Sequence, residues 1–178
     1  MRFATTSTAL LALLTFATSH VIKRDIRAVL DDLSSLNTNL GTLSAAVYSY
    51  SGGLPAALEI QTQENAVERT LEQATTDTNN TAVFTSVESN SVTEALVALE
   101  PVIRSSITAL VSKKTLFVSA GVGATVRTNL LNLKSRTDSL SVALQSKATD
   151  TDRETIRQGT VDVDDAFDGA IDAYEPQW

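Results

Sequence analysis

The feature that most constrains the fold is a heptad repeat of apolar residues near the start of the sequence. With Ile26 at position a, every a and d position is apolar over almost four heptads. These positions are Ile26, Val29, Leu33, Leu36, Leu40, Leu43, Val47 and Tyr50. Such a repeat is the signature of a helix in a left-handed bundle or coiled coil. The chain is therefore expected to fold around long packed helices, the first ending at the Gly52-Gly53 pair.

Four more segments have apolar residues at helical spacing, over about 55–76, 83–112, 113–146 and 152–174. Pro101 predicts a kink or break inside the third helix. Glu64 lies on the apolar face of the second helix. Its side chain either reaches the edge of the bundle or is a buried polar group, and we expect the first. No segment has a convincing strand pattern. The sequence thus predicts an all-α, antiparallel bundle of about five helices joined by short turns.

The run of small residues Ser119 to Ala124, SAGVGA, is unusual inside the fourth predicted helix. Its two glycines cost about 2 kcal/mol relative to alanine. Close approach of two helices, or space for a bound guest, would compensate for this cost.

The N-terminal residues predict a secretory signal peptide over 1–19, because Arg2 precedes an apolar run that ends in small residues. The run is too short to cross a bilayer. Residues 20–24 read as a short pro-segment, since Lys23-Arg24 before Asp25 is a site for a kexin-type processing protease. The helical bundle domain is then expected over 25–178, with no transmembrane segment.

The charge of this processed chain argues against two classes of partner. Loss of Arg2, Lys23 and Arg24 leaves 11 basic residues against 21 acidic ones, a net charge of −10. Nucleic acid and anionic membranes are therefore not expected as electrostatic partners. In a secreted chain, Asn79 in the Asn-Asn-Thr motif is a candidate glycosylation site on a loop.

The sequence lacks the side chains that most catalytic and metal sites require. Its one histidine, His20, lies in the leader, and it has no cysteine. A Ser-His-Asp triad, a Cys-His pair and a histidine zinc site are thus excluded from the processed chain. The acidic residues of the last helix read as a solvated face. We expect no enzyme, no metal and no cofactor.

Three segments carry a resemblance to a known family, together with the leader and the Lys-Arg-Asp start. They are LEPVIRSSITALVSKKTLFVSAG (99–121), LNLKSRTDSLSVAL (131–144) and AFDGAIDAYE (166–175). In these motifs the chain resembles the fungal hydrophobic surface binding proteins and cell-wall galactomannoproteins. The resemblance implies a secreted or wall-associated helical bundle that binds hydrophobic surfaces, or long-chain fatty acids in a tunnel between helices. Because the chain ends at AYEPQW without a hydrophobic tail, we expect no GPI anchor.

Three functions remain open on this reading. The first is a carrier of an apolar small molecule, for which the resemblance suggests a fatty acid. Its expected cavity lining is Phe84, Val87, Leu96, Ile103, Leu116, Phe117, Ala120, Val126, Val163, Phe167 and Ile171. The second is an adaptor that adsorbs to a hydrophobic solid and recruits a secreted hydrolase. The third is a structural wall glycoprotein without a ligand.

Overall fold

The computed structural model describes residues 26–176 and contains six α-helices over that range. The helices are α1 (Ile26–Ser49), α2 (Leu54–Asn80), α3 (Ser86–Ser112), α4 (Lys114–Ser119), α5 (Gly123–Lys147) and α6 (Asp150–Ala173). The expected all-α bundle is confirmed. The expected signal peptide, the pro-segment with Lys23 and Arg24, and residue 25 lie outside the described residues.

The five long helices form a closed ring. α1 packs against α2 and α3, α2 also packs against α5, and α6 closes the ring between α5 and α3. Each long helix therefore has two main neighbours, and none of these five runs through the middle. The inner faces of all five helices therefore surround a central space.

The heptad repeat of α1 forms one wall of the core. Its a and d side chains from Val29 to Tyr50 are buried, and Ile26 packs partly buried against them. The prediction from the repeat is thus confirmed in detail. A long apolar stripe of this kind positions α1 against two neighbours at once.

α3 continues without a break through Pro101. Proline removes one helical hydrogen bond, to the carbonyl of the residue four positions before it. That residue is Val97, and the side chains of Val97 and Pro101 are both exposed. Leu99 and Ile107 are buried on the inner face of the helix. The expected break is therefore wrong, because water can reach the side of the helix where the bond is lost. α3 is also long and apolar enough to span a membrane by composition, but here it packs between α1 and α6.

The fourth predicted helix is two helices, α4 and α5, so the expectation of one helix over 113–146 is wrong. Gly121 adopts a φ of 79°, a left-handed conformation that glycine adopts readily. The amides of Gly121 and Val122 then bond to carbonyls in the last turn of α4, at Val118 (2.9 Å) and Phe117 (3.0 Å). The small residues thus end a helix.

The buried ring of Phe117 holds the short helix α4 on the bundle. Its ring stacks on Tyr50, which follows α1, with ring centroids 4.4 Å apart and an interplanar angle of 17°. Lys113, just before α4, donates from Nζ to the backbone carbonyl of Tyr50 at 2.9 Å. α4 therefore closes one end of the ring.

Candidate ligand cavity

A cavity of about 500 Å³ lies inside the ring, and all five long helices contribute to its wall. The deep wall consists mainly of aliphatic side chains, with the buried polar residues Thr93 and Ser141 among them. The aliphatic residues are Leu36, Leu71, Leu96, Leu99, Ile103, Leu140, Leu144, Ile156 and Val163. The volume falls in the range of pockets that hold small-molecule ligands, about 300–1,000 Å³. We call this space the large cavity.

Small residues on α5 and α6 keep the large cavity open. Gly159 of α6 lines it, and a Cβ atom built at this position would meet only Oε2 of Glu100, at 3.9 Å. The hydroxyls of Ser141 and Thr160 share a hydrogen bond of 2.5 Å that joins α5 to α6. A glycine inside a helix costs about 1 kcal/mol relative to alanine. Gly159 thus gives up helix stability at a place where a larger side chain would reduce the cavity volume.

The mouth of the large cavity lies between α3 and α6, where its lining residues become exposed and acidic. Glu100, Glu154 and Asp162 line it, and no lysine or arginine of residues 26–176 does. Arg104 pairs with Glu100 at 3.1 Å and Arg157 pairs with Glu154 at 2.5 Å. The hydrogen bond from Arg157 lowers the pKa of Glu154. An apolar interior with a polar mouth suits an amphiphile or a small apolar molecule.

Two smaller spaces continue the large cavity toward α4. A middle void of about 30 Å³ shares Leu36, Leu71, Ile103 and Thr137 with the large cavity. Beyond it lies a space of about 130 Å³, which we call the inner chamber. The inner chamber shares four leucine walls with the middle void: Leu43, Leu110, Leu130 and Leu133. The three spaces therefore form a row through the interior.

Glu64 is buried in the wall of the inner chamber, with an exposed fraction of 5%. The expectation that it reaches the bundle edge is wrong, because α5 packs against α2 and covers it. Oε2 of Glu64 accepts a hydrogen bond from Gln61 at 2.7 Å. Burial, followed by the nearby carboxyl of Glu68, raises the pKa of Glu64 to about 8, although Arg136 acts in the opposite direction. Glu64 is thus mainly protonated and uncharged at neutral pH.

This pKa predicts that Glu64→Gln will stabilise the protein increasingly as pH rises. In the wild type, the folded state holds a proton between pH 4.5 and about 8 that the unfolded state has lost. Wild-type stability therefore falls over this window, and glutamine removes that contribution. The gain of the variant should grow by on the order of 2–4 kcal/mol from pH 5 to pH 8, measured by urea unfolding. The exposed Glu59→Gln is the control, and a pH-independent gain for Glu64→Gln would contradict the assignment.

The residues expected to line a cavity are placed in several different surroundings. Leu96, Ile103 and Val163 line the large cavity, Phe117 and Val126 line the inner chamber, and Phe167 lines the middle void. The remaining five line none of the three spaces. Phe84 and Ile171 are buried core residues, Leu116 and Ala120 are partly buried near α4, and Val87 is 78% exposed on α3.

Ser141 and Gly159 line the large cavity but were not expected there. Gly159 lies on the apolar face of the last predicted helix, so its small size could have indicated open space beside that face.

Asn79 was expected on a loop but lies in the last turn of α2, because that helix continues to Asn80. Its side chain is exposed. Within residues 26–176, no group of three or more histidine, aspartate or glutamate side chains is arranged to hold a metal ion.

The chain is similar to one family of known proteins and to cell wall proteins of two Aspergillus species. The model of the family described as hydrophobic surface binding protein A matches residues 26–146. Cell wall mannoprotein 1 of Aspergillus flavus is 28% identical over 181 residues, and the match covers 98% of this chain and 63% of that protein. The corresponding protein of Aspergillus fumigatus is 26% identical, with coverage of 89% and 55%. The chain thus spans less than two thirds of the length of these relatives.

Two solved structures share the fold. Afmp4p in complex with palmitic acid has a TM-score of 0.84 and 42% sequence identity, and the match covers 85% of this chain and all of that one (100%). Ligand binding domain 2 of Penicillium marneffei MP1 protein, complexed with multiple arachidonic acids, has a TM-score of 0.81. The match covers 88% of this chain and 99% of that domain. Because the sequence identity is only 22%, this likeness supports the fold alone.

Proposed function

The chain belongs to the hydrophobic surface binding protein A family, and we propose that it binds a long-chain fatty acid in its large cavity. The observation that carries this proposal is the cavity of about 500 Å³, with aliphatic walls, inside the helical ring. The 42% identity with Afmp4p, whose structure holds palmitic acid, supports a fatty acid as the ligand. We propose that the protein acts by binding alone, without catalysis.

The driving force for this binding is the removal of the hydrocarbon chain from water. Burial of apolar surface contributes roughly 25 cal/mol per Å². An apolar space with few polar partners is also a poor site for water. A hydrocarbon chain would therefore fill the aliphatic part of the large cavity better than water does.

The same proposal extends to where the protein acts. Its curated relatives are cell wall mannoproteins, which supports secretion and an association with the cell wall. We propose the division into a signal peptide (1–19), a pro-segment (20–24) and a bundle domain (25–178). Asn79 is the proposed glycan site, since its side chain is exposed.

Binding of palmitic acid to the delipidated protein tests the function directly. We expect one defined stoichiometry by native mass spectrometry, and a dissociation constant of about 1 µM or lower by calorimetry. Unlabelled palmitic acid should also displace a fluorescent fatty-acid analogue. If delipidated protein binds no fatty acid, the carrier function is wrong.

An adaptor on hydrophobic solids is the second candidate, favoured by exposed apolar side chains near α4. Leu54, Leu58 and Val118 are each at least half exposed, and Leu58 also lines the inner chamber. Such an adaptor could bring a secreted hydrolase to the solid. Adsorption to hydrophobic beads without any fatty-acid binding would favour this function over the carrier.

A further inference from the structure

The inner chamber contains a connected cluster of amide and carboxyl side chains from α2 and α5, whereas the hydrogen-bonded pair in the large cavity, Ser141 and Thr160, consists of hydroxyls. Asn129 donates from Nδ2 to Oε1 of Gln61 at 2.7 Å, and Gln61 donates from Nε2 to Oε2 of Glu64 at 2.7 Å. All three side chains line the chamber. The rest of the lining is aliphatic or aromatic, apart from Thr125. The polar atoms are thus concentrated on one side of an apolar space.

One atom of this cluster has an unused hydrogen-bonding capacity. Oε1 of Glu64 is buried and has no hydrogen bond of normal geometry to a side chain among residues 26–176, and the nearest group that could share its proton is the carboxyl of Glu68. A buried polar atom without a partner costs about 1–3 kcal/mol, so native proteins rarely leave one unless a water or a ligand satisfies it. Glu64 is therefore a candidate to bond to a group that enters the chamber.

The charges around the chamber restrict what that group can be. No lysine or arginine of the described residues lines the chamber, and the nearby Arg136 already pairs with Glu68 at 3.6 Å and with Glu72. An anionic group would thus lie beside the carboxyls of Glu64 and Glu68 without gaining an opposite charge, which is unfavourable. A hydroxyl or a protonated carboxyl could instead donate and accept hydrogen bonds with Glu64 and the neighbouring amides.

The inner chamber lies in line with the large cavity, with the middle void between them. The middle void shares wall residues with each of the two spaces, so an extended molecule would lie across all three once these side chains move aside. The opposite end of the row is the acidic mouth, where Arg104 and Arg157 are already paired. Among the side chains described between residues 26 and 176, an anionic head group finds no free cation lining either end.

We propose that the inner chamber is a head-group subsite for the uncharged hydroxyl or carboxylic-acid group of a single-chain lipid whose tail fills the large cavity. The proposal rests on the function proposed above. It adds the orientation of the ligand, with its head inward, and its chemical class. An alcohol and a fatty acid offer the same hydrogen-bonding chemistry, and binding measurements separate them.

The test compares ligands that have the same tail and different heads. Delipidated protein would be titrated with 1-hexadecanol, palmitic acid and hexadecyl sulfate by displacement of a fluorescent fatty-acid analogue. We expect 1-hexadecanol to bind at least about tenfold more tightly than the permanently anionic hexadecyl sulfate. A tighter interaction with palmitic acid than with the alcohol would assign the subsite to the acid. Equal affinity for all three ligands would overturn the subsite while leaving the carrier function intact.

Variants of the polar cluster give the second arm of the test. Glu64→Leu removes the unpaired carboxyl and should weaken 1-hexadecanol binding about tenfold, the effect of one lost hydrogen bond. Asn129→Leu, at the other end of the cluster, should act in the same direction and serves if Glu64→Leu does not fold. Glu59→Leu, exposed on the same helix, is the matched control.

The outcomes separate the two proposals. If Glu64→Leu and Asn129→Leu both keep the wild-type affinity for 1-hexadecanol within about twofold, the subsite is wrong and the fatty-acid function stands. If the wild type binds none of the ligands, the proposed function itself fails. Circular dichroism of each variant shows whether the helical fold is retained.

Discussion

Gly159→Phe should weaken the binding of palmitic acid by at least about thirty-fold, or about 2 kcal/mol, while the fold is retained. A side chain at this position would project from α6 into the large cavity, where only Glu100 lies within 4 Å of the new Cβ. The ring would occupy volume that the hydrocarbon tail needs. The substitution should not destabilise α6, because phenylalanine has a higher helix propensity than glycine.

Gly169→Phe is the matched control, since it lies in the same helix. Gly169 is exposed, lines none of the three spaces, and has no atom within 4 Å of the position that an added Cβ would take. We expect its affinity to stay within about twofold of the wild type. Calorimetry with palmitic acid on both variants makes the comparison. Retained affinity in Gly159→Phe would mean that the large cavity does not hold the ligand.

Phe117→Ala should lower the free energy of unfolding by about 3–5 kcal/mol. Phe117 is 1% exposed, stacks on Tyr50, and is the buried side chain through which α4 is attached to the bundle. Truncation removes these contacts and enlarges the inner chamber that the ring lines. Urea unfolding monitored by circular dichroism measures the loss.

Val118→Ala is the control for this loss, because its side chain is 54% exposed in the same short helix. We expect a change of less than about 0.5 kcal/mol. A cost below about 1 kcal/mol for Phe117→Ala would contradict the role of Phe117 as the anchor of α4. The Phe117→Ala variant should still form the five long helices.

The helices could be predicted from the sequence because their signals are local. The a and d positions from Ile26 to Tyr50 repeat at the heptad spacing, and each of them except Ile26 is buried in the structure. The boundary between α4 and α5 was missed because glycine tolerates a helix interior as well as a left-handed turn. Gly121 adopts the left-handed turn, because the amides of Gly121 and Val122 donate hydrogen bonds to carbonyls at the end of α4.

The cavity was harder to predict than the helices because it depends on which helices become neighbours. An apolar stripe identifies the buried face of a helix, but not whether that face meets another side chain or an open space. Leu96 and Leu116 both lie on apolar stripes, yet only Leu96 lines one of the three spaces. Leu96 belongs to α3, which packs against α6, whereas Leu116 belongs to the short helix α4, and periodicity does not contain that information.

Glu64 illustrates the same limit for a polar residue. Its position on an apolar stripe was evident, and the expected outcome was a side chain that reaches water. The observed burial results from α5, which begins only at Gly123 and covers this face of α2. Long-range packing of this kind is not visible in a local pattern.

Because none of the six described helices occupies the centre of the ring, a lipid bound there as proposed would become part of the core. A ligand that binds only the folded state, at a free concentration about 100 times its dissociation constant, adds about 2.7 kcal/mol of stability. That gain is similar to the contribution of a single disulfide bond, typically about 2–4 kcal/mol. This chain contains no cysteine. A lipid bound as proposed would therefore stabilise the fold reversibly, and the loaded protein would resist heat and proteolysis better than the empty one.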